Sequence, residues 1–205
     1  MDLGVIGIVF AAIFVVELPD KTFIAALVLS TRYRPLAVWI GVGLAFLVQT
    51  LIAVTVGQAV SYLPDQLVQA VALVIFVIGA VLLLREAPRA DAAEPATEES
   101  FAAKAAPSDN GAVKTGLGAV TASFLVLLAA EWGDLSQLLT ISLVGRYDDP
   151  VSVFIGAWGA LLVVSGLACV VGRILLNHVK LSMVHYVGAA VCLVFAAATA
   201  YELIR

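Results

Sequence analysis

Apolar runs long enough to cross a bilayer recur along this chain, and two of them carry carboxylates at their centres. About 20 apolar residues span the hydrocarbon core, where backbone polar groups must be satisfied within the segment, so runs of this length fold as helices. Of the 205 residues, 62% are hydrophobic and only 13% charged, for a mean hydropathy of +1.08. A soluble domain of this size has no use for so much apolar surface. The fold class expected is therefore an all-α integral membrane protein. The net charge of −4 resides mostly in one acidic segment and the mid-span carboxylates, which argues against a nucleic-acid surface. Cys169 and Cys192 both lie in apolar runs and read as small core-filling hydrophobes rather than as a disulfide or soft-metal ligands. Met1-Asp2-Leu3-Gly4 lacks the basic start of a signal peptide, so the first run is expected to be retained.

Six spans are expected, at about 4–31, 35–60, 66–85, 115–146, 150–175 and 182–203. Arg32-Tyr33-Arg34-Pro35 closes the first, Pro64-Asp65 separates the second from the third, and Asp148-Asp149-Pro150 separates the fourth from the fifth. The stretch 86–114 is rich in Ala, Pro, Glu and Ser, with Phe101 as its one large apolar residue, and reads as a disordered tether. Three segments follow: a three-helix repeat over 1–85, a flexible acidic cytoplasmic linker over 86–114, and a second three-helix repeat over 115–205.

The two halves resemble each other. At an offset of 114, Glu17, Asp20, Thr22, Arg32 and Tyr33 meet Glu131, Asp134, Ser136, Arg146 and Tyr147. With one residue inserted, Pro35, Gly41, Ala45, Ala53 and Gly57 meet Pro150, Gly156, Ala160, Ala168 and Gly172. An odd number of spans per repeat gives the halves opposite orientations, an inverted 3+3 arrangement typical of secondary transporters. Lys and Arg accumulate in cytoplasmic loops. With both termini outside, eight basic residues (Arg32, Arg34, Arg85, Arg89, Lys104, Lys114, Arg173 and Lys180) face the cytoplasm, against Arg146 and Arg205 outside.

A carboxylate at membrane depth costs about 2.5–3.5 kcal/mol or more, so such residues mark ion or proton pathways. Glu17 and Asp20 share a helix face at i, i+3, as do Glu131 and Asp134. Pro19 and Gly133 put helix-breakers at equivalent midplane positions, and Pro19 offers no N–H to the carbonyl of Val15. Gathered around a pseudo-two-fold axis, the four carboxylates make an all-oxygen cage, with Thr22, Ser136, Gln137 and Gln49 as sources of neutral oxygens. Lys21 either holds the first acidic pair or takes the cation's place in one state. Oxygen-only ligands suit Ca²⁺, Mg²⁺ or Mn²⁺ rather than zinc or copper. Crowded carboxylates cannot all stay ionised when empty, so an entering cation would displace protons. The plainer alternative is that Glu17 neutralises Lys21 and the rest is structural packing, but this leaves Asp20, Glu131 and Asp134 unexplained.

At these residues the chain resembles the six-helix divalent-cation/proton antiporter family with twin E-x-G-D-(K/R)-(T/S) motifs, whose eukaryotic members supply manganese and calcium to the Golgi. The resemblance covers nearly all of the chain outside 86–114. It implies Mn²⁺ or Ca²⁺ exchange for protons, with Glu17, Asp20, Glu131 and Asp134 as ligands. Bacterial relatives are associated mainly with manganese export, so export across a bacterial inner membrane is the expected setting. Pro19 replaces the usual Gly in the first motif, and Leu135 the usual Lys or Arg in the second.

The partners expected are the lipid bilayer and the transported cation, with no cofactor and no nucleic acid; a homo-oligomer is compatible with the sequence. A competing reading is an exporter of a small organic cation or amino acid. An enzyme is not expected, because two carboxylates can do acid–base work but no nucleophile–base set accompanies them. Among weaker signals, His178 reads as solvated, His185 as an interfacial packing residue that also has the chemistry to relay protons, and Glu86 and Glu202 as helix-end caps. Trp132 lies between two ligands, where it would wall the cavity, and Trp39 reads as an interfacial anchor. Gly41, Gly43, Gly156 and Gly159 should let helices pack closely.

Overall fold

The computed structural model describes residues 1–18, 21–60, 62, 64–104, 116–178 and 181–204. They form α1 (Leu3–Glu17), α2 (Lys21–Arg32), α3 (Pro35–Val60), α4 (Asp65–Lys104), α5 (Leu117–Ala130), α6 (Leu135–Tyr147), α7 (Pro150–His178) and α8 (Leu181–Ile204), with no strand among the described residues. Helix ends follow local chemistry. The Asp2 carboxylate caps α1 by accepting the Gly4 N–H at 2.7 Å. Pro35 and Pro150 stand first in α3 and α7, where a missing N–H costs nothing. Asp148 ends α6 in the left-handed conformation at φ 47°. Asp149 then accepts both the Ser152 N–H (3.1 Å) and hydroxyl (2.6 Å) at the start of α7, and the Ser152 hydroxyl holds its carboxyl below the usual aspartate range.

The first and fourth expected spans are each broken. α1 and α2 meet at a 70° bend, and α5 and α6 at 73°. Helices over Pro35–Val60, Gln66–Ala90 and Pro150–Val170 are long and apolar enough to cross a membrane. Counting each bent pair as one span gives five, and the apolar stretch His185–Tyr201 of α8 is shorter. Their outer surfaces carry large apolar side chains, such as Leu44, Leu51 and Val56 on α3 and Val74, Ile78 and Leu82 on α4, while Glu17, Gln49 and Glu131 are buried within. An apolar exterior around a polar interior suits lipid, not water, as the surrounding solvent.

The reading of 86–114 as a disordered tether is corrected over its first part. α4 continues to Lys104 through Pro88 and Pro95. Ala and Glu, which count toward disorder in composition, are strong helix formers once a helix is under way, and Ala87, Ala90 and Phe101 are buried in the extension. The extension lies against α2, where Glu98, Glu99 and Ala102 meet Leu27, Val28, Thr31 and Arg32 around a cleft of about 220 Å³. Residues 105–115 lie outside the described residues.

Packing is crossed between the halves: α1 and α2 lie on α7, α5 and α6 lie on α3, and α4 lies along α8. Glycines set the closest approaches. A Cβ on Gly41 of α3 would collide with the Val120 carbonyl of α5 and stand 3.0 Å from the Ser123 Cβ. A Cβ on Gly156 of α7 would stand 2.7 Å from the Ile6 carbonyl of α1 and 3.0 Å from the Val9 Cβ. Gly43 is similarly tight against Leu162, but Gly159 meets only the Phe10 ring at 3.8 Å and sets no close approach. Two indoles tie α3 to α7: Trp39 donates to the Leu162 carbonyl at 2.9 Å and Trp158 to the Gly43 carbonyl at 3.1 Å. Trp39 is thus a crosslink as well as a partly exposed residue. Cys192 is buried and Cys169 half-buried, both as free thiols.

Candidate cation site

Residues that flank the two breaks come together to form one cluster, hereafter the chamber. Glu17 is the last residue of α1, Glu131 caps the C-terminus of α5, and Asp134 is the N-cap of α6. Glu17 and Glu131 are 1% and 3% exposed. One carboxylate oxygen from each of the three residues lies within 4.8 Å of the others. Two helix C-termini, each carrying about half a negative charge, therefore converge with three carboxylates, an arrangement that favours positive charge.

The second break is built from local chemistry. Gly133 adopts φ +78°, a conformation L side chains rarely take. The Gly133 N–H donates to the Gln137 side-chain oxygen at 3.0 Å, and the Asp134 N–H to the Glu131 carbonyl at 3.3 Å. The Asp134 carboxylate does not cap α6, which leaves it to face the chamber. Its Oδ2 is buried without a hydrogen-bond partner among the described residues, as is the hydroxyl of the fully buried Thr22 at the start of α2. Such orphaned oxygens are the ones a cation would satisfy. Since an added Cβ at Gly133 meets nothing within 4 Å, Gly133→Ala should cost only backbone strain, on the order of 1–3 kcal/mol. Thermal unfolding together with cation affinity measures this, and both should fall as the Glu131–Asp134 turn loses its shape.

Among the other sequence-derived candidates, Ser136 is buried on the first turn of α6, and its carbonyl accepts from Thr140. Gln49 is buried on α3 and donates its amide to the Leu128 carbonyl at 3.3 Å, while Gln137 spends its oxygen on Gly133. Both glutamines thus hold the second break in shape. Pro19 and Asp20, and the side chains of Lys21, His178 and Glu202, lie outside the described residues. Trp132 does not wall the chamber: it is 66% exposed, because the turn at Gly133 directs it outward. Glu86 is no helix-end cap; it sits inside α4 and faces His185. Ser123 was not anticipated. Its fully buried hydroxyl has no partner among the described residues. The spacing Ser123, Leu127, Glu131, a stripe on one helix face, was the available signal.

Buried carboxylate oxygens gathered at two helix breaks inside an apolar-faced bundle define the class: a membrane protein with an acidic interior. The chain belongs to the family described as divalent cation/proton antiporter GDT1, whose model matches residues 5–91 and 119–205. This is a family of transporters, not enzymes, and its members work in a lipid bilayer. The chain is similar to the chloroplastic protein PAM71 of Arabidopsis thaliana, 30% identical over 99% of this chain and 59% of that protein. It is 34% identical to the GDT1-like protein sll0615 of a Synechocystis strain, over 72% of this chain and 69% of that one. It is 27% identical to a Vibrio cholerae protein named "Putative manganese exporter", over 97% and 92% of the two chains. The chain thus spans under three fifths of the length of the Arabidopsis relatives it matches, 59% and 57%. No solved structure matches it.

Proposed function

We propose that the protein exchanges a divalent cation, Mn²⁺ first and Ca²⁺ second, for protons, and exports the cation from the cytoplasm across a bacterial inner membrane. The observation that carries this reading is the set of three buried carboxylate oxygens within 4.8 Å of one another. Ligand oxygens of one ion at about 2.3–2.6 Å stand no more than roughly 5 Å apart, so the set is compact enough that a small inward movement would let one ion take all three. Asp20, the repeat partner of Asp134, is the fourth ligand in this account. Manganese is favoured over calcium by the name of the Vibrio relative and by the family resemblance of the motifs.

The six-span inverted repeat belongs to the same proposal. Gly41 meets Val120 and Ser123 as Gly156 meets Ile6 and Val9, and all these pairs stand at the repeat offset of 114 or 115 residues. The crossed packing of α1 on α7 and α5 on α3 supports it as well. The basic residues favour an arrangement with both termini outside.

If protons and the cation compete for the same carboxylates, lowering the pH should weaken apparent cation affinity progressively. In sealed proteoliposomes, Mn²⁺ entry should drive protons the opposite way, and a pH gradient should drive Mn²⁺ uptake. Affinity that stays flat between about pH 6 and 8, without proton counterflow, would rule out exchange.

A further inference from the structure

His185 takes no part in the carboxylate chamber, yet it is buried in α8, and its Nε2 lies 4.0 Å from Oε2 of Glu86 on α4. The Glu86 side chain is 54% exposed. It stands with Arg85 and Arg89, the charges that end the apolar part of α4. One turn further along α8, Gly188 brings three helices together: a Cβ there would lie 3.2 Å from Cδ1 of Leu83 on α4 and 3.8 Å from the Val16 Cα on α1. Val16 immediately precedes Glu17. Because Leu83 and Glu86, like Gly188 and His185, are three residues apart on one helix face, the two contacts occupy successive turns. The end of α1 that carries Glu17 therefore sits one helical turn from a buried imidazole that faces an exposed carboxylate.

We propose that His185 and Glu86 form the proton route between the chamber and the aqueous edge of the membrane. This rests on the exchange reading above. A proton displaced by the incoming cation joins the imidazole at one ring nitrogen, and another leaves from the second nitrogen to Glu86 or water, so the ring ends neutral. Histidine suits the task because its charge changes between about pH 5 and 8, whereas an arginine cannot give up its proton. Among the described residues, the charged groups nearest this part of α8 on the elements packed against it are Arg85, Glu86 and Arg89 of α4 and Glu17 of α1. Glu98 and Glu99 lie further along α4, against α2. Arg146 of α6 donates to Thr199 of α8 at 2.6 Å, some four turns away.

The test uses the full-length protein in sealed vesicles with an internal pH dye, following Mn²⁺ and proton flux together, and Mn²⁺ binding in detergent. His185→Gln keeps a hydrogen-bonding side chain that cannot carry a proton. It should bind Mn²⁺ within about twofold of the parent yet exchange about a hundredfold more slowly. Added imidazole, a small diffusible proton carrier, should restore part of the rate. Glu86→Gln should slow exchange less and steepen its dependence on external pH. Exchange by His185→Gln at the parental rate would overturn the relay, as would loss of Mn²⁺ binding in step with transport or a deficit that imidazole leaves untouched. Parental vesicles that move Mn²⁺ without protons would instead overturn the exchange reading itself.

Discussion

Replacing Glu131 by Gln is expected to abolish cation transport while leaving the protein folded. The two side chains have nearly the same volume, and a neutral amide costs less to bury than a charge. The folded state should therefore hold or gain stability, with the thermal midpoint in detergent unchanged or raised. The loss falls on the cation. A unit charge about 4 Å from an opposite one contributes roughly 4 kcal/mol at an effective dielectric constant near 20, and a divalent ion in contact feels more. That corresponds to about a thousandfold in affinity. Glu17→Gln should behave alike, because Glu17 supplies another of the three clustered oxygens. Glu99→Gln, at an exposed residue of the α4 extension, serves as a control and should transport normally. Isothermal titration with Mn²⁺ and flux into vesicles measure both halves of the prediction. Normal flux in either chamber variant would remove the carboxylates from the transport path.

The second large effect concerns the glycines that set helix spacing. Gly41→Ala drives a methyl group into the Val120 carbonyl, and Gly156→Ala places one 2.7 Å from the Ile6 carbonyl. Backbone cannot swing aside as a flexible side chain can, so each helix pair must separate. Overpacking of this kind costs about 1–3 kcal/mol, and it acts against the gain in helix propensity of up to about 1 kcal/mol that alanine brings. Gly159→Ala provides the contrast: its methyl group would meet only the Phe10 ring at 3.8 Å, so propensity should win and the protein should be slightly more stable. Thermal unfolding of the three variants in one detergent decides the matter. Gly41→Ala should also lower cation affinity, since α3 carries Gln49, which holds the end of α5 next to Glu131.

Much of this was legible in the sequence, for physical reasons that differ from residue to residue. The chamber could be read because carboxylates are rare and costly at membrane depth, and because a repeat places Glu17 opposite Glu131. The break at Gly133 was legible as a helix-breaker, but the direction it gives Trp132 was not, since that depends on the φ of one residue. The backbone contacts of Gln49 and Gln137 were not legible for a related reason: an amide next to a helix break meets unpaired backbone groups first. The helix through 86–104 was hidden because Ala, Glu and Pro enrich disordered segments and helices alike, and only the burial of Phe101 against the bundle separates the cases. The pairing of His185 with Glu86 joins helices a hundred residues apart, and no local pattern announces it.

The crossed packing bears on how such a protein is made. α1 and α2 have their main cross-half neighbour in α7, and α5 and α6 have theirs in α3. During synthesis the first half leaves the ribosome with the partner of its broken helix still unmade. Glu17 must therefore wait in an incomplete bundle until α5 to α8 have been inserted. A chain halted after α4 would lack α6, α7 and α8, which pack on α1, and so would leave that carboxylate without the helices that bury it.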